Sequence, residues 1–168
     1  MKIEKEKFSD ELMAEVLPLA QKCWDESTAF KGETCAYVGE RDFKIEPNID
    51  AYRTIDEQGL LVIITLRDET KLVGYAIGFL YTAMHHKHIL CAIGDSIYIE
   101  PEFRSYTAVV ASKLESEVKE LGAEIMGWPV HFNGPVYELL KAMHYVGDDI
   151  VMEKRLCVSQ PQSLEQPQ

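Results

Sequence analysis

Apolar residues fall at helical spacing near the start of the chain, in near-continuous runs through its middle, and at helical spacing again towards its end. A short strand is expected over Lys2–Lys7. Ser9 then stands as a helix cap, with Asp10 and Glu11 in the first turn, where the helix dipole favours anions. Leu12, Val16, Leu19, Ala20 and Cys23 follow as one apolar stripe. Pro18 lies inside this pattern and should kink or split the helix, because its ring removes a donor and clashes with the preceding turn. Lys31–Pro47, with Gly32 and Gly39, reads as irregular. Asn48 or Asp50 is placed to cap a second, short helix that ends near Gly59.

The middle changes period. Leu60–Leu66 (LLVIITL) is a buried-strand run, and Asp68-Glu69-Thr70 is a polar turn. Lys71–Tyr81 and Ile89–Glu100 supply two more strands, joined through His85-His86-Lys87-His88, so the three should form an antiparallel meander. Pro101 stops the third. Val110, Ala111, Leu114, Val118 and Leu121 step round a helix ending at Gly122, with Glu115 and Lys119 expected to pair at i,i+4. Glu124–Trp128 then reads as a strand, which makes a strand–helix–strand crossover and a locally parallel pair. Asn133 precedes a last helix carrying Val136, Leu139, Leu140 and Met143, and Asp149–Cys157 closes as a strand. The pattern predicts a mixed α/β (α+β) fold: residues 1–157 as one domain, 158–168 as a disordered polar tail.

Composition narrows the function classes. The chain has 168 residues, long enough for one hydrophobic core, and a formal charge of −11 from 28 acids against 17 basic side chains. The acids are spread evenly, so the surface repels phosphate backbones and nucleic-acid binding is not expected. A membrane span is not expected either, since an uncharged run such as Leu72–Met84 falls short of the ~18–20 apolar residues a crossing helix needs. The opening MKIEKEKF puts charges where a signal peptide needs an apolar run. Cys23, Cys35, Cys91 and Cys157 are scattered without a CxxC pair, which points to reduced thiols in a cytoplasmic protein. His85, His86 and His88 lack a further ligand at set spacing, so they read as a polar hairpin tip and no metal is expected. Trp128 reads as core, and Tyr75, Phe79 and Tyr81 as sheet packing.

Candidate chemistry concentrates in Gly94–Val110. A strand ends at a proline, an arginine follows, and a helix starts at once, so unpaired amides, the positive end of a dipole and Arg104 converge on an anion site. Asp95 is uncharacteristic in an apolar strand and shares parity with Ile97 and Ile99. It is the candidate base, or else a strand-start residue bonded to a neighbouring loop. Glu100 faces the other way by alternation.

The wording of this region resembles the GNAT family of acyl-CoA-dependent N-acyltransferases. YIEPEFR (98–104) is similar to the family's fourth-strand exit, KELGAE (119–124) to the end of its third helix, and Asn133 through IVMEKRL (150–156) to its closing section. Small bacteriophage acyltransferases end in very similar words, which implies a phage or bacterial source. The resemblance implies acetyl-CoA as cosubstrate, an amine acceptor and a central mixed sheet. It places the cofactor on Tyr98 and Ile99, on the pyrophosphate loop Arg104, Ser105, Tyr106, Thr107, Ala108 and Val109, and on Asn133. Thr107 and Val109 stand where the family's loop carries small residues, and Leu140 where it often carries an acidic tyrosine. Tyr137, one turn earlier, is the candidate acid, with Tyr106 and Tyr145 as alternatives.

Two functions follow. One is an N-acetyltransferase in which the Ile99 amide polarises the thioester and Asp95 assists deprotonation of a primary amine. The acidic surface suits a cationic acceptor: a protein lysine, a protein N-terminus or a polyamine. The other is a catalytically degenerate GNAT-like binding or virion-associated protein. A homodimer is left open.

Overall fold

A computed structural model of the protein describes residues 1–31, 45–130 and 134–147. The expected closing strand Asp149–Cys157, the tail, Asn133, and Cys35 and Cys157 lie outside the described residues, as does most of the irregular segment before Pro47.

Among the described residues five strands form one sheet in sequence order: β1 (Lys2–Glu6), β2 (Leu61–Asp68), β3 (Lys71–Thr82), β4 (Leu90–Ile99) and β5 (Ile125–Gly127). The first four run antiparallel to their neighbours and β5 runs parallel to β4. That is the expected meander and crossover. A tight polar turn joins β2 to β3, where Glu69 takes a left-handed φ of 53°, and residues 83–89 join β3 to β4.

Period-2 alternation splits the sheet into two faces. Val62, Ile64, Leu66, Val73, Ala76, Leu80 and Ile99 face α3 (Thr107–Glu120), which answers with Val110, Leu114 and Val118. Leu61, Ile63, Leu72, Tyr75, Ile77 and Tyr98 face α1 (Asp10–Lys31), which contributes Leu12, Val16 and Leu19. Beside α1 lies α2 (Ile49–Glu57), whose Tyr52 and Ile55 join the same cluster. A fourth helix, α4, spans Pro135–Ala142.

The caps follow the sequence. Ser9 Oγ accepts from the Leu12 amide at 3.1 Å, and Asn48 Oδ1 from the Ala51 amide at 3.1 Å. Three expectations change. Pro18 does not split α1, which runs unbroken through it; the burial of Leu12, Met13, Val16 and Leu19 on one face holds the helix together. On α3 the ion pair forms between Lys113 and Glu117, 2.6 Å apart, instead of Glu115 and Lys119. Glu115 accepts from the Tyr145 hydroxyl, and Glu117 is held additionally by Lys5 of β1 at 3.2 Å. Of the aromatic row on β3, Tyr75 is buried and Phe79 half-buried, whereas Tyr81 is exposed near the strand's end. Cys91 is a buried free thiol, and the Cys23 thiol donates to the Ile97 carbonyl at 3.6 Å. Among the described residues no helix is long and apolar enough to cross a membrane.

Candidate functional site

Strand β4 is paired unequally. Against β3 its ladder runs from Leu90 to Ile99, but against β5 it covers only Cys91–Ile93. From Gly94 onward that second edge has no strand partner among the described residues. The Glu100 amide donates to the Val73 carbonyl at 2.9 Å. In an antiparallel ladder the adjoining pair, Gly74–Ile99, is then the non-hydrogen-bonded one, so the N–H and C=O of Ile99 point away from β3 into the open edge. Trp128, just past β5, covers the start of this edge: a Cβ on Gly94 would sit 2.2 Å from the indole Cε3. Only glycine lets the ring lie there, so Trp128 is half-buried packing against the α3-side core.

A bulge marks where the edge opens. Ile77 pairs with Ser96 but Gly78 pairs with Gly94, which leaves Asp95 as the extra residue. The bulge overturns the parity expected from sequence. Ile97 and Ile99 belong to the α3 face, whereas Asp95 lines a cavity on the opposite face with Tyr52, Ile55 and Phe79. Asp95 is exposed, and its Oδ2 accepts from the Tyr52 hydroxyl at 2.5 Å. It is bonded to α2, not to a loop beside its own strand. Burial first, then the Asp95 carboxylate, hold the Tyr52 phenol well above its ordinary pKa, so it is a neutral donor.

The end of β4 differs from the expected amide-rich loop. Pro101–Tyr106 is a 3-10 helix that winds straight into α3. The Phe103 amide donates to the Glu100 carbonyl and the Thr107 amide to that of Arg104, so the amides of this turn are directed at carbonyls three residues back. The Thr107 hydroxyl also donates to the Arg104 carbonyl, at 2.7 Å. Val109 is 53% exposed, so it does not fill the turn from inside. Ser105 is exposed, Tyr106 and Ala108 are half-buried, and Tyr106 packs against the α3-side core.

Arg104 is committed as well. Its guanidinium forms an ion pair with Glu26 of α1, and the same carboxylate accepts from the Tyr98 hydroxyl at 3.0 Å. Burial, then Glu26, push the Tyr98 phenol up to about 12. One turn back on α1, Lys22 reaches Glu100 at 2.5 Å. The structure therefore brings Tyr98 and Arg104 together through Glu26, with Ile99 between them on β4.

Tyr137 stands half-buried on α4, with the Lys141 ammonium 5.4 Å from its ring centroid. Tyr145, beyond α4, donates to Glu115 at 3.3 Å. Its pKa is raised, chiefly by burial. His85, His86 and His88 lie exposed in the turn between β3 and β4.

Two residues of this region carry no sequence signal for it. Tyr52 and Glu26 each meet their partner on β4 or beyond only through the fold, across 43 and at least 72 positions. Amphipathic spacing marks Tyr52 as core-facing and says nothing of Asp95.

No family model and no curated protein matches the chain. Solved structures do. An aminoglycoside acetyltransferase from an uncultured soil metagenomic sample superposes with a TM-score of 0.66 at 12% identity, covering 94% of this chain and 95% of the other. A ribosomal-protein-alanine N-acetyltransferase from Brucella melitensis biovar Abortus 2308 gives 0.61 at 13%, covering 93% and 100%. Glucosamine-6-phosphate N-acetyltransferase from Arabidopsis thaliana gives 0.58 at 13%, covering 94% and 100%. Nothing in these similarities supports a phage source. With its mixed sheet, β4 and β5 parallel, and its overall similarity to these structures, the chain has the GNAT acyltransferase fold.

Proposed function

We propose that the protein transfers an acetyl group from acetyl-CoA to a primary amine. The observation that carries this reading is the edge of β4 past Ile93, which has no strand partner among the described residues and toward which the Ile99 amide points. An extended pantetheine arm suits such an edge, because a strand edge offers alternating donors and acceptors. The Ile99 amide would polarise the thioester carbonyl, as fixed donors do in acyl transfer. Attack by the amine nitrogen forms the C–N bond and breaks the C–S bond. Asp95 would accept the proton the nitrogen sheds, and Tyr137 would return one to the departing thiolate sulfur. Arg104 would bind the pyrophosphate after parting from Glu26, an exposed pair of little net stability. We place the reaction in the cytoplasm.

The test is calorimetric titration of the full chain with acetyl-CoA, followed by thiol release in the presence of an amine panel. Binding together with amine-dependent thiol release is the expected result. No heat and no thermal stabilisation at millimolar acetyl-CoA would refute it.

One observation favours a second reading, a GNAT-fold binder that has given up the cofactor. The turn that should cradle pyrophosphate is wound into a 3-10 helix with Thr107 bonded to Arg104. Thr107→Gly with Val109→Gly separates the two, since glycine loosens this turn at up to about 1 kcal/mol per residue placed in a helix. Affinity gained by the double variant over a non-binding wild type supports the binder. Affinity equal to or below that of a binding wild type supports the enzyme.

A further inference from the structure

A cavity of about 220 Å³ opens between α2 and strands β3 and β4, on the face away from α3. Pro47, Ala51, Ile55 and Phe79 make most of its wall apolar; the polar lining residues are Asn48, whose Oδ1 caps α2 at the Ala51 amide, and the bonded pair Tyr52 and Asp95. Among the described residues no lysine or arginine forms an ion pair with Asp95. Arg53, the basic residue next to Tyr52, is taken by Asp50 and Asp10, each at 2.7 Å. Tyr52 occupies Oδ2 of Asp95 and leaves the other oxygen for a donor. An open cleft with mostly apolar walls and one carboxylate at its edge, held by no cation among the described residues, is complementary to a cation borne on an apolar group. A polyamine, whose charges repeat every few carbons, would lay a second ammonium along Ile55 and Phe79, where the lining offers no second counter-charge.

We infer that this cavity selects the acceptor: a small primary amine whose ammonium meets Asp95 and whose aryl or branched alkyl group fills the space between α2 and Phe79. Calling that ligand the acceptor rests on the acyltransferase reading; the binding itself does not. The bulge contributes directly, because without the extra residue the residue-95 side chain would share the α3 face with Ile97.

The experiment titrates the full chain, without acetyl-CoA, against 2-phenylethylamine, 2-phenylethanol and spermidine, read by calorimetry and by amide shifts in α2. The amine is expected to bind about tenfold or more tightly than either comparator. Asp95→Asn should remove that advantage over the alcohol. Ala51→Phe, which fills the cavity from the exposed side of α2, should abolish amine binding while leaving the fold intact by circular dichroism. Spermidine binding as tightly as the amine, or amine binding unchanged in either variant, overturns the inference. Amine binding as expected without any acetyl transfer keeps the cavity assignment and defeats the acyltransferase reading. Acetyl transfer to spermidine with no 2-phenylethylamine binding does the reverse.

Discussion

The two edges of β4 are built from the same ten residues and do opposite things. On the β3 side every pair from Leu90 to Ile99 is in register apart from one bulge, and Ala92 and Ile99 are shut into the core. On the β5 side the ladder stops at Ile93, and among the described residues no strand pairs with the groups beyond it. A ladder that continued would satisfy those groups and close the place where a ligand could lie. Stability is therefore held on one edge, and the opening on the other survives because α3 and β3 anchor the strand without it.

The largest effect should come from attacking the anchored side. Leu114 is fully buried against β2–β4. Leu114→Ala should cost about 2–5 kcal/mol of unfolding free energy, measured by denaturant titration. Tyr75→Phe, on the α1 side, removes the hydroxyl that meets Ser96 Oγ at 2.8 Å and should cost about 1 kcal/mol. A smaller loss from Leu114→Ala than from Tyr75→Phe would mean the α3 face is not the anchor.

Next comes the junction between the edges. Gly94→Ala puts a methyl group into the Trp128 ring, so the indole must leave the start of the cleft. A loss of about 1–3 kcal/mol is expected, as for other overpacked sites, together with a red shift of tryptophan emission. Unchanged emission and stability would show that Trp128 does not rest on β4.

Ligand affinity sharpens the open side. If acetyl-CoA binds, Arg104→Ala should weaken it by about 1–3 kcal/mol, the range for losing a hydrogen bond to a charged group. Unchanged affinity would move the pyrophosphate away from the end of β4.

The difference between the edges also explains what could be read from the chain. Continuous apolar runs, the Glu69 turn and the Ser9 and Asn48 caps are local signals, and the meander and crossover follow from them. The bulge is not local. Nothing in Gly94-Asp95-Ser96 announces that β3 will skip a residue opposite it, so alternation put Asp95 on the wrong face. Arg104 was legible as a cation beside a helix start. Its engagement with Glu26 depends on how α1 crosses the sheet, and the 3-10 winding on how Glu100 and Arg104 use their carbonyls. The residue types of the expected anion site were thus visible in order, while the arrangement they take is set by a contact 78 positions apart.

That contact gives the smallest and most selective test. Glu26 and Arg104 are about half exposed, at 45% and 51%, so water screens them and their pairing is worth at most about 1 kcal/mol. A pyrophosphate carries more charge than one carboxylate and accepts from both arms of the guanidinium, so it should win Arg104 while paying for the displacement. Glu26→Gln removes the competing charge but keeps an oxygen that can still accept from Tyr98, so the sheet end of α1 is not left with an orphaned hydroxyl. Acetyl-CoA affinity should then rise by up to about fivefold, with more gain at low salt than at high salt, because the competing pair is itself screened. In an Arg104→Ala background the same change should do nothing. A gain that persists there would assign the effect to general charge on an acidic protein. No gain in either background would mean that Glu26 and the cosubstrate never meet at Arg104, and the open edge of β4 would have to bind its ligand without the arginine beside it.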